Sequence, residues 1–290
     1  MMTHKDIVIL IVQMSVSLIV FSVALEASAR EVTLLLRKPG LLIRSLFCMN
    51  IVMPLLAALI VTALALDGPM AFALIALAVS PVPPLLPKRQ RRAGGTASYI
   101  VGLLAVSALC SIVFVPLAVE LVARAFSRSV HVSAGAIARI VAISVIAPLA
   151  AGIVVRALAA PLASRIARPI SILATLLLLV GLVPVLVMFG PAIVARIGNF
   201  SLVAITLFVL GGLGAGHLFG GPDPDDRSVL ALATAIRHPG VALAIARVNA
   251  PDLKAVTACI LLYLIAGAIV SMPYLMWRKH NHLRPGMLQR

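Results

Sequence analysis

Two stretches decide the reading of this chain. The first is Ala76-Leu77-Ala78-Val79-Ser80-Pro81-Val82-Pro83-Pro84-Leu85-Leu86-Pro87-Lys88. The second is Thr234-Ala235-Ile236-Arg237-His238-Pro239-Gly240. Each lies in an apolar run of the length that crosses a bilayer, and each interrupts that run. Three prolines in four positions, Pro81, Pro83 and Pro84, remove backbone donors and clash with the preceding turn, so no regular helix passes through them. Pro239 does the same to the second run, with Gly240 after it and Arg237 and His238 before it. Freed backbone groups at membrane depth must be satisfied inside protein or in a watery cavity.

Working outward, the flanking sequence is that of a membrane protein. Of 290 residues, 62% are hydrophobic and 11% charged. The mean hydropathy is +1.15. A soluble domain is about half apolar and about a quarter charged. Disordered, fibrous, disulfide-stapled and water-soluble enzyme classes are excluded on these grounds. About 180 apolar residues at roughly 20 per span suggest about nine transmembrane helices. The apolar runs are 7–29, 41–66, 70–87, 97–123, 132–158, 170–190, 199–219, 228–248 and 253–277. Ala27-Ser28-Ala29 has the look of a signal cleavage site. The run before it exceeds a signal h-region of ~7–15 residues and lacks a preceding basic stretch, so it is expected to be a retained span.

The formal net charge of +15 would suggest nucleic acid in a soluble chain. Here the basic residues follow topology. Numbering the runs one to nine, sixteen Lys and Arg fall on one side. They include Arg30, Arg37 and Arg44, then Lys88, Arg89, Arg91 and Arg92, and later Arg156, Arg227 and Arg278. The opposite side holds six, namely Lys5, Arg124, Arg128, Arg196, Arg247 and Lys254. By the positive-inside rule the N-terminus is outside and the C-terminus cytoplasmic, in a multi-pass cell (inner) membrane protein. No nucleic-acid partner is expected, and the oligomeric state is open. Cys48, Cys110 and Cys259 lie in apolar runs without metal or redox spacing and read as packing residues.

All nine carboxylates fall in links or near run ends. Intramembrane carboxylates commonly carry protons or bind Na⁺ in pumps and symporters, so their absence from mid-span argues against that kind of coupling. Arg237, by contrast, is expected at mid-membrane, where an unpaired arginine costs about 2.5–3.5 kcal/mol on insertion scales. Two roles suit it. It caps carbonyls released by the breaks, or it holds an anionic substrate group with help from half-helix N-termini. His238, Thr234, Asn50, Ser80 and Lys88 complete the candidate substrate site. Pro81, Pro83, Pro84, Pro239 and Gly240 form its crossover backbone. Thr257 reads more simply as bonded to its own helix. Among the four basic residues after the first break, Lys88 is the one expected to reach inward. Arg237→Ala is expected to abolish transport and leave the fold intact.

The breaks also correspond. If the chain is two inverted repeats of five spans with the first span absent, spans one to four match spans six to nine. Span three then matches span eight. Paired interrupted spans at corresponding positions point to a transporter binding site. The expected architecture is one all-α domain over 1–290. It divides into a first repeat of about 7–123 and a second of about 132–277, a 4+5 arrangement of nine transmembrane helices.

With these residues in view, the chain resembles the bile acid:sodium symporter family. The resemblance is carried by Leu25-Glu26-Ala27-Ser28, Arg37-Lys38-Pro39 and Met49-Asn50-Ile51-Val52-Met53-Pro54-Leu55-Leu56-Ala57. It implies a core domain in which two broken helices cross and a panel domain that rocks against it to give alternating access. Gly94-Gly95-Thr96-Ala97-Ser98 is similar to the family's crossover motif, but placing the break at Pro81–Pro84 keeps the spacing to Pro116 without a gap. The departures are informative. Positions that in the family supply sodium-ligating Ser and Asn fall here on Leu86 and Pro87. Its Glu falls on Leu232 or Ala233, and its Gln on Ile236 or Arg237. Hard cations want oxygen ligands, so the Na⁺ site is expected to be lost, with no other metal or cofactor.

The expected function is sodium-independent transport of a small organic anion. A sodium- or proton-coupled carrier of the same fold, with His238 as proton carrier, is the alternative. A non-transporting membrane sensor is the alternative from another class. No intramembrane enzyme is expected, because the spans hold no H-E-x-x-H, no paired aspartates and no nucleophile–base spacing.

Overall fold

Helix starts are written into the chain. Asp67, Ser133, Asp223 and Asp252 each cap a helix through a side-chain oxygen that accepts from a backbone N–H of its first turn. Ser28 and Glu31 form a reciprocal capping box. The computed structural model describes residues 4–125, 133–198 and 200–283. Arg128, Arg284, Arg290 and the run ends at 132 and 199 lie outside the described residues. Among the described residues there are helices and no strands. The elements are α1 (His4–Ala24), α2 (Ala29–Thr33), α3 (Pro39–Phe47), α4 (Met53–Ala63), α5 (Gly68–Val79), α6 (Leu86–Arg92), α7 (Ala97–Ala125), α8 (Ala134–Val141), α9 (Ala147–Leu158), α10 (Ala160–Val194), α11 (Ser201–Phe219), α12 (Pro224–Ala235), α13 (Pro239–Asn249), α14 (Leu253–Val270) and α15 (Met272–Leu283).

Among the described residues, seven stretches are long and apolar enough to cross a membrane, and two shorter apolar helices, Leu10–Ala24 and Gly68–Val79, accompany them. The chain is an integral multi-pass membrane protein. One boundary differs from the sequence reading. The sixth run was expected to start at 170, but α10 begins at Ala160 and spans 35 residues. Alanine-rich sequence carries the helix through Arg165 and Arg168, and Pro169 does not stop it. At 1.5 Å per residue it is roughly 50 Å long, well beyond a ~30 Å hydrocarbon layer. Its first turns pack Ala163 and Ala167 against Leu25 at the end of α1.

Two π-helical turns, Cys48–Val52 between α3 and α4 and Ala142–Ile146 between α8 and α9, share one cause. Each precedes a proline, Pro54 and Pro148, at the second position of the next helix. In the first turn Met53 N–H donates to Cys48 O, and Pro54 has no N–H. The Met49 carbonyl is left without a helical donor. In the second, Ala147 N–H donates to Ala142 O, and the Ile143 carbonyl is left likewise. Both are taken by donors from elsewhere. Ser17 Oγ of α1 donates to Ile143 O at 3.1 Å, and Arg237 donates to Met49 O.

The helices sort into two groups. In one, α1 packs along α9 and α10. In the other, α5 is enclosed by α4, α7, α13 and α14, while α11 lies against α4, α12 and α14. The groups meet where α7 touches α8 and α10 touches α14. Gly212, Gly216 and Gly220 line α11 toward α12. A Cβ at Gly216 would lie 2.4 Å from Ala231 Cα, so the backbones touch, as small residues every fourth position allow.

Links between loops respect sidedness. Arg91 pairs with Glu26, Thr96 donates to Asp226 at 3.0 Å, and Arg278 reaches Asp225 at 3.4 Å. Arg196 pairs with Asp67 at 2.8 Å. Each of these contacts joins links that the alternation of runs assigns to one side.

Candidate functional site

The two interruptions fall where the prolines put them. Helix α5 ends at Val79, and residues 80–83 are non-helical ahead of α6. Helix α12 ends at Ala235, and Ile236, Arg237 and His238 link it to α13. The two breaks meet directly, through His238 N–H donating to Pro81 O at 2.9 Å. Pro81 of the first break thus touches the second, while Gly94, at φ +87°, sits in the turn that leads into α7.

Arg237 lies at the centre and is 0% exposed. Its Nε donates to Leu77 O at 3.3 Å, and its Nη2 donates to Ala78 O at 2.6 Å and to Met49 O at 3.0 Å. Leu77 and Ala78 form the last turn of α5, where the helix dipole is negative; Leu77 O also accepts from Ser80 N–H at 3.0 Å, and Pro81–Pro84 leave few donors for the carbonyls beside it. One guanidinium thus serves that helix end and the carbonyl orphaned by Pro54. Tyr263 of α14 holds the other side. Its hydroxyl donates to Ala235 O at 2.7 Å and accepts from Arg237 N–H at 3.0 Å. Arg237 Nη1 is buried with no partner among the described residues.

His238 caps α13, with Nδ1 accepting from Gly240 N–H at 3.1 Å. A neutral ring then carries its proton on Nε2, which is buried and unpartnered. Thr234 Oγ1 donates to Leu230 O at 2.7 Å and lies 3.7 Å from Cys48 Sγ. Ser80 donates to Ala76 O at 2.7 Å and is spent on its own helix, as Thr257 is on Leu253 O. Asn50, half-buried, sits in the π turn beside Met49.

Lys88 behaves differently from the sequence expectation. Its Nζ turns to α10, donating to Ser171 O at 3.2 Å and Thr175 Oγ1 at 2.8 Å. The neighbouring Arg89 lines a cavity next to the crossing together with Arg237 and Tyr263. Arg89, Tyr263 and the Met49 carbonyl are the parts that sequence reasoning missed. Tyr263 left one signal, a phenol inside an apolar run, since a buried tyrosine hydroxyl needs a partner. A second signal was Pro54 within a span.

Paired helix breaks that cross in a multi-pass helical bundle, with a charged group buried between them, define a membrane transporter of the broken-helix type. A protein-family model described as the Sodium Bile acid symporter family matches residues 13–196. The chain belongs to that family. It is therefore a secondary transporter of the bile acid symporter kind and not an enzyme. The match takes in the first break and ends before the second. No curated protein matches the chain.

Proposed function

We propose that the protein is a sodium-independent secondary transporter of a small organic anion, with its site beside the crossing of the two breaks. The observation that carries this reading is the position of the Arg237 guanidinium on the Leu77, Ala78 and Met49 carbonyls. Carbonyl oxygens are what a hard cation would seek. A tethered cation supplies that charge permanently, and the aliphatic side chains of Leu86, Leu232 and Ala233 offer no oxygen to a sodium ion. Fixed positive charge favours an anion in the same low-dielectric region. Arg237 Nη1 and His238 Nε2 are the unused donors beside the crossing.

A proton relay through His238 fits the geometry less well. Its Nδ1 lone pair caps α13, and a proton there would break that cap. The division of helices into two groups supports a core that carries the breaks and a panel formed by α1, α8, α9 and α10. Rocking of one against the other would give alternating access. The sidedness of the loop contacts supports the nine-span count. Orientation, with the N-terminus outside and the C-terminus cytoplasmic, rests on the charge bias alone.

Uptake of labelled organic anions into proteoliposomes, with and without an imposed sodium gradient, tests the reading. Equal uptake in both conditions is expected. Strong sodium stimulation would overturn it.

A further inference from the structure

The geometry points to Arg89 as the second wall of a carboxylate site beside Arg237, in a cavity sized for a small monocarboxylate. The inference rests on the organic-anion reading above and names its substrate class. The cavity, of about 130 Å³, lies between the first break, the second break and α14. Pro83, Leu86 and Arg89 come from the first, Arg237 from the second, and Tyr263 and Leu264 from α14.

Two guanidinium groups line this space, and no carboxylate does. Arg89 makes no side-chain hydrogen bond or ion pair among the described residues, although it is only partly exposed. Arg237 is 0% exposed and its Nη1, unpartnered among the described residues, is buried, so it contributes charge from behind the cavity wall, and Arg89 contributes the reachable donors. Buried or half-buried charges are normally paired, and an anion in this space would pair Arg89. Guanidinium presents a planar fork of donors that matches a carboxylate. Lys88, one residue earlier, is committed to α10 and does not compete.

Size narrows the class. At ~30 Å³ per water the cavity has room for about four waters, hence for an anion of about four to six heavy atoms. Drug-sized ligands occupy roughly 300–1,000 Å³. Acetate or propionate matches this volume, whereas a sterol-sized anion would extend well beyond it.

Calorimetric titration of the purified full chain with propionate, ethylammonium and adamantane carboxylate tests the proposal. Propionate should bind, ethylammonium should not, and adamantane carboxylate should bind at least tenfold more weakly than propionate. Arg89→Gln should lose at least tenfold affinity for propionate with an unchanged melting temperature. Arg89→Lys should fall between, because the charge stays and the fork is lost. Leu264→Ala should admit larger carboxylates. Wild-type affinity in Arg89→Gln, equal affinity for the bulky acid, or no carboxylate binding at all would overturn the inference. Uptake assays separate this from the transport reading. Propionate that binds through Arg89 but is not taken up defeats the transport reading alone. Uptake that ignores Arg89→Gln defeats the Arg89 site alone.

Discussion

The two breaks look alike in sequence and are chemically opposite. The first is built from Pro81, Pro83 and Pro84, which have no N–H, so it presents acceptors and almost no donors. The second carries the donors. Arg237 supplies its guanidinium to the α5 end, and His238 supplies its backbone N–H to Pro81 O. The second break also brings its own support in Tyr263, which satisfies the end of α12. Among the described residues the first has only Ser80, whose hydroxyl donates to Ala76 O of the same helix. Neither break is complete alone. A proline-rich interruption is tolerable in the membrane here because another interruption, some 160 residues away in sequence, answers its carbonyls.

The strongest way to break that comparison is Arg237→Ala. It removes three bonds to carbonyls that water does not reach. At about 1–1.7 kcal/mol each, the loss is about 3–5 kcal/mol. Relief of the guanidinium's desolvation opposes this, but the Ala78 and Met49 carbonyls are left unpaired, while Leu77 O keeps the Ser80 N–H. The sequence alone suggested that the fold would survive intact; the geometry predicts a markedly lower melting temperature together with loss of uptake. An unchanged thermal melt in detergent would mean that the first break satisfies itself and that Arg237 serves the substrate only.

Gly216→Ala comes next. The added methyl would sit 2.4 Å from Ala231 Cα, which is backbone and does not swing aside. Forcing α11 from α12 is expected to cost about 1–3 kcal/mol, as overpacking does. The same substitution at Gly214, where a Cβ meets nothing within 4 Å, should be neutral or slightly stabilising. Equal melting curves for the two variants would show that α12 is not held by this glycine stripe.

Tyr263→Phe should cost less than Arg237→Ala, about 1–3 kcal/mol for two bonds at about 0.6–1.7 kcal/mol each. It keeps the ring that packs edge-on to Phe208 at 6.0 Å and deletes only the hydroxyl shared by Ala235 O and Arg237 N–H. A loss as large as that of Arg237→Ala would place the weight of the crossing on the tyrosine. No change in thermal melting would make the second break as bare as the first.

Much of this was legible in the chain because its causes are local. Proline removes a donor wherever it stands, so Pro81–Pro84 and Pro239 mark the breaks without reference to anything else. An arginine inside an apolar run needs a partner, and Arg237 announced itself for that reason. What stayed hidden depends on three-dimensional placement. The pairing of Arg237 with Met49 O requires the π turn ahead of Pro54 to face the second break, and hydropathy carries no such information. The choice between Lys88 and Arg89 depends on the helical phase of α6, which the preceding prolines reset. The start of α10 at Ala160 was missed because Arg165 and Arg168 read as a link, although arginine is a good helix former.

Lys88→Ala should have the smallest effect on stability and sharpens the comparison from outside the crossing. The contacts of both breaks are buried and lie within one group of helices. Lys88 instead ties α6, just after the first break, to Ser171 and Thr175 of α10 in the other group. It is half-buried, and Thr175 Oγ1 already donates to Ser171 O at 2.7 Å, so neither partner is stranded when the lysine goes. Exposed and half-exposed links of this kind contribute about 0–1 kcal/mol, and the melting temperature should hardly move. If the two groups rock during transport, however, this link must break in every cycle. Removing a contact of ~1 kcal/mol from the starting state lowers that barrier by the same amount, a rise of up to about fivefold in initial uptake rate. The second break has no equivalent tether among the described residues, so the first break is the one whose motion the tether restrains. An unaltered uptake rate in Lys88→Ala proteoliposomes would place Lys88 away from the moving interface and leave the two breaks equally free.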